Sequence, residues 1–200
     1  MASPSAGRPR RARTPPAPLD EARLQELALS YVARFATSAG RLRAYCRRKL
    51  RERGYAGAEE GRAPPDVEGM VARMVAKGYV DDVGFARAKT GSLLRRGYGA
   101  RRVGETLRAD GIAEPLRADL APAEHERREA AAAYARRRRL GPFARPERGP
   151  ADPRGGEKQL AALLRAGHDI AHARRVLAAT SDAEIEEWIA EAREEEDQTP

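Results

Sequence analysis

Cysteine is almost absent: Cys46 is the single one among 200 residues. No disulfide can form within the chain, which fits a reducing compartment such as the cytoplasm. Aromatic residues make up only 5%. Any core must then be thin and aliphatic, too thin for a β-sandwich or a deep enzyme cleft. No apolar run approaches the ~20 residues of a membrane-spanning helix. No segment alternates with period two for long enough to make a strand. The opening MASPSAGRPRRARTPPAPL lacks the apolar stretch of a secretory signal. It is arginine-rich and acid-poor, as transit peptides are, but Pro4, Pro9, Pro15, Pro16 and Pro18 oppose the amphipathic helix an import signal needs. Residues 1–19 read instead as a disordered basic arm.

Patterns that carry chemistry are missing too. There is no phosphate-binding P-loop, and the glycines of GYGARRVGE follow a helix and do not fit GxGxxG. Serines lack a nucleophile-elbow context. Asp81 and Asp82 could pair on a metal, but one reads better as a helix N-cap and the other as a dipole partner. His168 and His172 are four apart with no obvious third ligand. Cys46 sits on an apolar helix stripe and reads as core. The sequence implies no catalytic residue, no metal site and no cofactor, hence no enzyme.

What remains is helical. Leu24, Leu27, Ala28, Tyr31, Val32 and Phe35 share one stripe. Ser38 can cap a second helix carrying Leu42, Cys46 and Leu50, and Asp66 a third carrying Val67, Met70, Val71 and Met74. The pattern then recurs. Gly54, Gly111 and Gly167 stop helices 57 and 56 residues apart, and a leucine stands four residues before each: Leu50, Leu107 and Leu163. In the third repeat Gln159 takes the place of an apolar residue. The fold class is therefore all-α, with tandem three-helix units stacked into an elongated, curved array. The units span 20–78, 79–121 and 122–180, with a Pro/Gly-rich insertion over 141–156. An acidic helix and tail follow over 181–200.

The net charge is +8 and the pI about 10.1, which points to a polyanionic partner. The charge is polarised, because nine acids and one base fall between Asp182 and Asp197. The cations cluster near junctions of a unit's first and second helices: Arg47, Arg48 and Lys49; Lys89, Arg95, Arg96, Arg101 and Arg102; and Arg136, Arg137, Arg138 and Arg139. Tyr45, Tyr98 and Tyr134 lie nearby. In LLRRGYGARRV, Gly97 and Gly99 allow a close turn and Tyr98 can anchor it. Arg95 and Arg96 suit a helix C-terminus. Arg101 and Arg102 oppose the dipole of the next helix, which hints at an external anion.

The stretches GYVDDVGFARA (78–88) and RRGYGARRVGETLRADGI (95–112) resemble the signature of the RecX family of bacterial recombination regulators. ALSYVARFATSAGRLRAYCRRKLRERGY (28–55) resembles its first repeat, and EKQLAALLRAGHDIAHARRVL (157–177) its third. The resemblance implies tandem three-helix units and a monomeric, cytoplasmic, non-enzymatic regulator. Such a regulator binds the RecA–DNA filament along its groove and restrains ATP hydrolysis, strand exchange and co-protease activity in DNA repair and the SOS response. Single- or double-stranded DNA is a further implied partner, and an independent nucleic-acid-binding helical protein is the competing reading. The chain departs from the family at His168, where an aromatic commonly follows the glycine. The insertion, the basic arm and the acidic tail are additions.

Overall fold

The computed structural model describes residues 17–144 and 155–198. Most of the arm and residues 145–154 of the insertion lie outside them. Among the described residues the protein is all-α, with no strand ladder. The first three helices are α1 (Glu21–Val32), α2 (Ala39–Arg53) and α3 (Val67–Ala76). Then come α4 (Asp82–Arg95), α5 (Ala100–Ala109) and α6 (Glu114–Asp119). The remainder are α7 (Glu124–Arg138), α8 (Gly155–Ala166), α9 (Ile170–Ala178) and α10 (Asp182–Asp197), with a 3-10 turn at Gly141–Phe143.

Local chemistry sets these boundaries. Asp20, Ser38, Asp66, Asp81, Asp169 and Ser181 are N-caps whose side chains accept an orphan backbone N–H. The three stop glycines follow α2, α5 and α8 with φ of 72°, 76° and 97°, a region costly for residues with a Cβ.

The helices bury several small cores in series. Leu24, Leu42, Cys46, Met70 and Val71 close the first, between α1, α2 and α3. Ala86, Leu93, Val103, Leu107 and Ile112 form the second, into which Ala130 of α7 reaches. Tyr134, Leu163, Ala166 and Ala173 form another. Ala131, Ala135, Val176, Ile185, Trp188 and Ile189 join α7, α9 and α10. Such units bury too little alone and depend on their neighbours.

Helix ends supply the joints. The N–H of Gly99 donates to the Ala166 carbonyl at 3.0 Å, and that of Arg101 to the Gly167 carbonyl at 3.2 Å. The start of α5 thus abuts the end of α8. The start of α2 meets the end of α5 in the same sense. There Ser38 Oγ donates to the Asp110 carbonyl, and the Ala39 N–H donates to Asp82 Oδ1 at 2.8 Å. Glycines permit both approaches. A Cβ on Gly99 would stand 2.3 Å from the Gly167 carbonyl, and one on Gly40 2.6 Å from the Gly111 Cα.

Three sequence expectations need correction. Leu19, placed in the disordered arm, is fully buried and bonds through its backbone to Gly54 and Ala56. Phe35, placed on the α1 stripe, is 56% exposed, because α1 ends at Val32. The acidic end is not a detachable tail up to Asp197: α10 buries Ile185, Trp188, Ile189 and Ala192.

The joint gives a steric prediction. Gly99→Ala should destabilise by about 1–3 kcal/mol, because only backbone faces the new methyl. Gly104→Ala, in the same helix with nothing within 4 Å, should stabilise by about 0.5–1 kcal/mol. Urea unfolding of both variants checks this; two shifts of the same sign would refute the steric account.

Candidate nucleic-acid and protein interface

The break at Gly97–Gly99 is a helix exit, a turn and a joint in one. Tyr98 N–H reaches back to the Leu93 carbonyl (3.0 Å) and Gly97 N–H to that of Leu94 (2.7 Å), a Schellman ending that uses the positive φ of Gly97. Tyr98 is half-buried against the second core, with the Arg96 guanidinium 5.2 Å from its ring centre. Arg95 and Arg96 lie at the negative end of α4, as its dipole favours.

Gly97 also presses on α7. A Cβ there would lie 2.6 Å from Tyr134 N. Tyr134 is buried, and Arg137 and Arg138 each stand 5.8 Å from its ring centre. The contact brings the Arg95–Tyr98 segment beside the Tyr134–Arg138 segment. None of Arg95, Arg96, Arg137 and Arg138 is in an ion pair among the described residues, and all four are exposed. Exposed Arg139 ends α7 in the left-handed region at φ 57°.

The other candidate cations are engaged. Arg101 Nη2 donates to the Leu164 carbonyl at 2.7 Å, and Nη1 pairs with Glu105 at 2.8 Å. Arg102 reaches Glu105 at 3.6 Å. The helix-dipole hint of an external anion is therefore answered inside the molecule: the end of α8 supplies the negative pole, and Arg101 caps it. Arg136 turns to α10, where it bonds Asp182 and Glu186. Lys89 lies 3.5 Å from Asp110 at the joint of α2 and α5. Arg47 pairs with Glu68 at 2.7 Å, and Arg48 and Lys49 pair with Glu52 at 3.2 and 2.7 Å. Arg48 and Lys49 also lie over the Tyr45 ring, at 5.6 and 5.9 Å. Each of the three tyrosines thus carries at least one cation, an arrangement that presents charge and leaves ring edges for stacking.

The acids and histidines have structural partners. Asp81 caps α4 through Gly84 N–H at 2.9 Å. Asp82 does more than favour a dipole, because it accepts from α2; that contact, 43 residues away, leaves no trace in local sequence. Gln159, the degenerate position, accepts from Gly141 N–H at 2.8 Å. His172 is buried with Glu124 2.7 Å from one ring nitrogen and Asp169 2.6 Å from the other. Burial alone would raise the Glu124 carboxyl, but hydrogen bonds from Arg128 and His172 hold it below its usual range. Buried His168 places Nε2 3.1 Å from the Gly97 carbonyl. Its burial lowers the imidazole pKa, with the Gly97 bond pulling the other way. Burial pushes the Cys46 thiol up to about 11, which leaves it unreactive. Among the described residues, no three His, Cys, Asp or Glu are grouped to hold a metal, and no helix is long and apolar enough to cross a membrane.

Comparison with known proteins places this arrangement. The chain is 36% identical over 158 residues to the regulatory protein RecX of Myxococcus xanthus (strain DK1622), covering 77% of this chain and 83% of that protein. A crystal structure of a regulatory protein RecX superposes with a TM-score of 0.54 at 21% identity, over 78% of this chain and 72% of the other. No protein-family model matches the chain.

His168 makes the second joint acid-sensitive. Its folded pKa lies below the ordinary value of 6.5, so the unfolded chain binds the proton more readily. The stability it contributes is present above the unfolded pKa and is lost as pH falls below it. Melting temperature should therefore drop between about pH 7 and about pH 5.5, and the drop should shrink in His168→Phe. Parallel curves for the two proteins would exclude His168 as the cause.

Proposed function

The chain belongs to the RecX family of regulatory proteins, and from that premise we propose that it binds the RecA–DNA filament and restrains RecA. The activities restrained are ATP hydrolysis, strand exchange and co-protease action, in DNA repair and the SOS response. It acts as a cytoplasmic monomer without chemistry of its own. The supporting observation is the cluster of Arg95, Arg96, Arg137 and Arg138 beside Tyr98 and Tyr134: four exposed cations without carboxylate partners, on two helices fixed to each other through Gly97. A rigid basic surface of this kind suits the phosphate-lined groove of a nucleoprotein filament. Residues 20–78, 79–121 and 122–180 serve as three successive filament-binding units. Arg47, Arg48 and Lys49 add a second basic contact on the first unit, and Arg101, Arg102 and Arg139 flank the main cluster.

A second reading is direct DNA binding without recombinase, favoured by the cations lying over Tyr45, Tyr98 and Tyr134. Sequence-tolerant grip on single strands uses that combination of charge and ring.

The test is the ATPase rate of a RecA–single-stranded DNA filament titrated with this protein. Wild type should lower the rate. A variant with Arg95, Arg96, Arg137 and Arg138 changed to alanine should keep its melting temperature within a degree or two, because exposed charges contribute little to stability. It should lose most of the inhibition, and its salt dependence should fall by about one unit of slope for each phosphate it no longer neutralises. A folded quadruple variant that inhibits as wild type does would remove these residues from the interface.

A further inference from the structure

The joint between α2 and α5 leaves an apolar groove that the basic surface does not use. The bond from Ser38 to Asp110 and the burial of Thr37 and Ser38 draw the chain out of α1 early. Phe35 is stranded three residues past the helix, tilted against Tyr31 at 5.3 Å between ring centres. Tyr79, just after the positive-φ Gly78, is 54% exposed. With Phe85 these rings wall a groove of about 440 Å³, and Gly84 and Ala88, one turn apart on α4, also line it. Val75 and Val83 are exposed within the same stretch of chain. Of the five large apolar side chains that stand exposed among the described residues, only Ile170 lies elsewhere. A local concentration of this kind marks a contact surface.

The rim gives the partner's chemistry. Arg34 adjoins Phe35 in the chain, Lys77 lies beside Tyr79, and Arg87 is on the exposed part of α4. None of the three has an ion pair among the described residues. Lys89, inside the groove, is held by Asp110. We propose that this groove is a protein-docking site for an apolar side chain flanked by carboxylates, presented by the recombinase, while the Arg95–Arg138 cluster meets phosphate. The inference rests on the regulatory reading above and divides it into two contacts.

A Phe35→Ser, Tyr79→Ser double variant tests it, measured for binding to cognate RecA filaments on single-stranded DNA and, separately, to the same DNA alone. Both residues are more than half exposed, so the melting temperature should hold. Filament affinity should fall about tenfold or more, as removal of an anchor at an interface does, with affinity for DNA alone unchanged. Phe35→Leu, which keeps an apolar knob and serves should the double variant not fold, should retain most of the filament affinity. Unchanged filament binding by the double variant, or an equal drop on DNA alone, would overturn the docking proposal and leave the regulatory reading standing; the second result would mean that the groove takes a base. Failure of wild type to bind filaments would overturn the regulatory reading, and the docking proposal with it.

Discussion

The end of one helix against the start of another is the constraint on which the fold depends. A helix leaves its first N–H groups and last carbonyls without internal partners. Here the first donors of α5 go to the last carbonyls of α8. The start of α2 meets the end of α5 in the same polarity, with the Ser38 hydroxyl and Asp82 supplying the bonds. Opposite dipole ends face each other, so the arrangement is favourable electrostatically as well. It requires backbone to touch backbone, and glycine stands at each such contact. Three small cores with little apolar surface become one array because their second helices are chained end to end.

The same constraint sorts the arginines. A guanidinium beside a helix C-terminus finds a carbonyl, as Arg101 finds Leu164. One facing the acidic α10 finds carboxylates, as Arg136 does. Those left over are Arg95, Arg96, Arg137 and Arg138, held near each other by the Gly97–Tyr134 contact. A basic run in a sequence is thus a mixture of cations that build the molecule and cations that face outward. Charge alone cannot separate them.

This difference explains what the sequence revealed. The repeat was legible because its signals are local: a stop glycine needs left-handed backbone, and a leucine four residues earlier lies one turn back on the buried face. The caps at Ser38, Asp66 and Asp169 were legible for the same reason. The all-α class and family membership followed from those patterns. Partners far along the chain were not legible. Nothing near Asp82 announces the N–H of Ala39, and nothing near Arg136 announces Asp182. Phe35 continued the α1 stripe in phase, yet a distant bond at Ser38 ends the helix first. Trp188 and Ile189 sat in an acidic segment whose charge obscured its buried face.

The most direct test of this account is amide hydrogen exchange at Gly99 and Arg101. Both N–H groups lie where an isolated α5 would leave them to solvent. If the carbonyls of Ala166 and Gly167 hold them, they exchange about as slowly as the amides of Val103 and Leu107 in the interior of the same helix. Exchange at the rate of an unstructured peptide, with Val103 and Leu107 still protected, would show that α5 and α8 are not joined end to end.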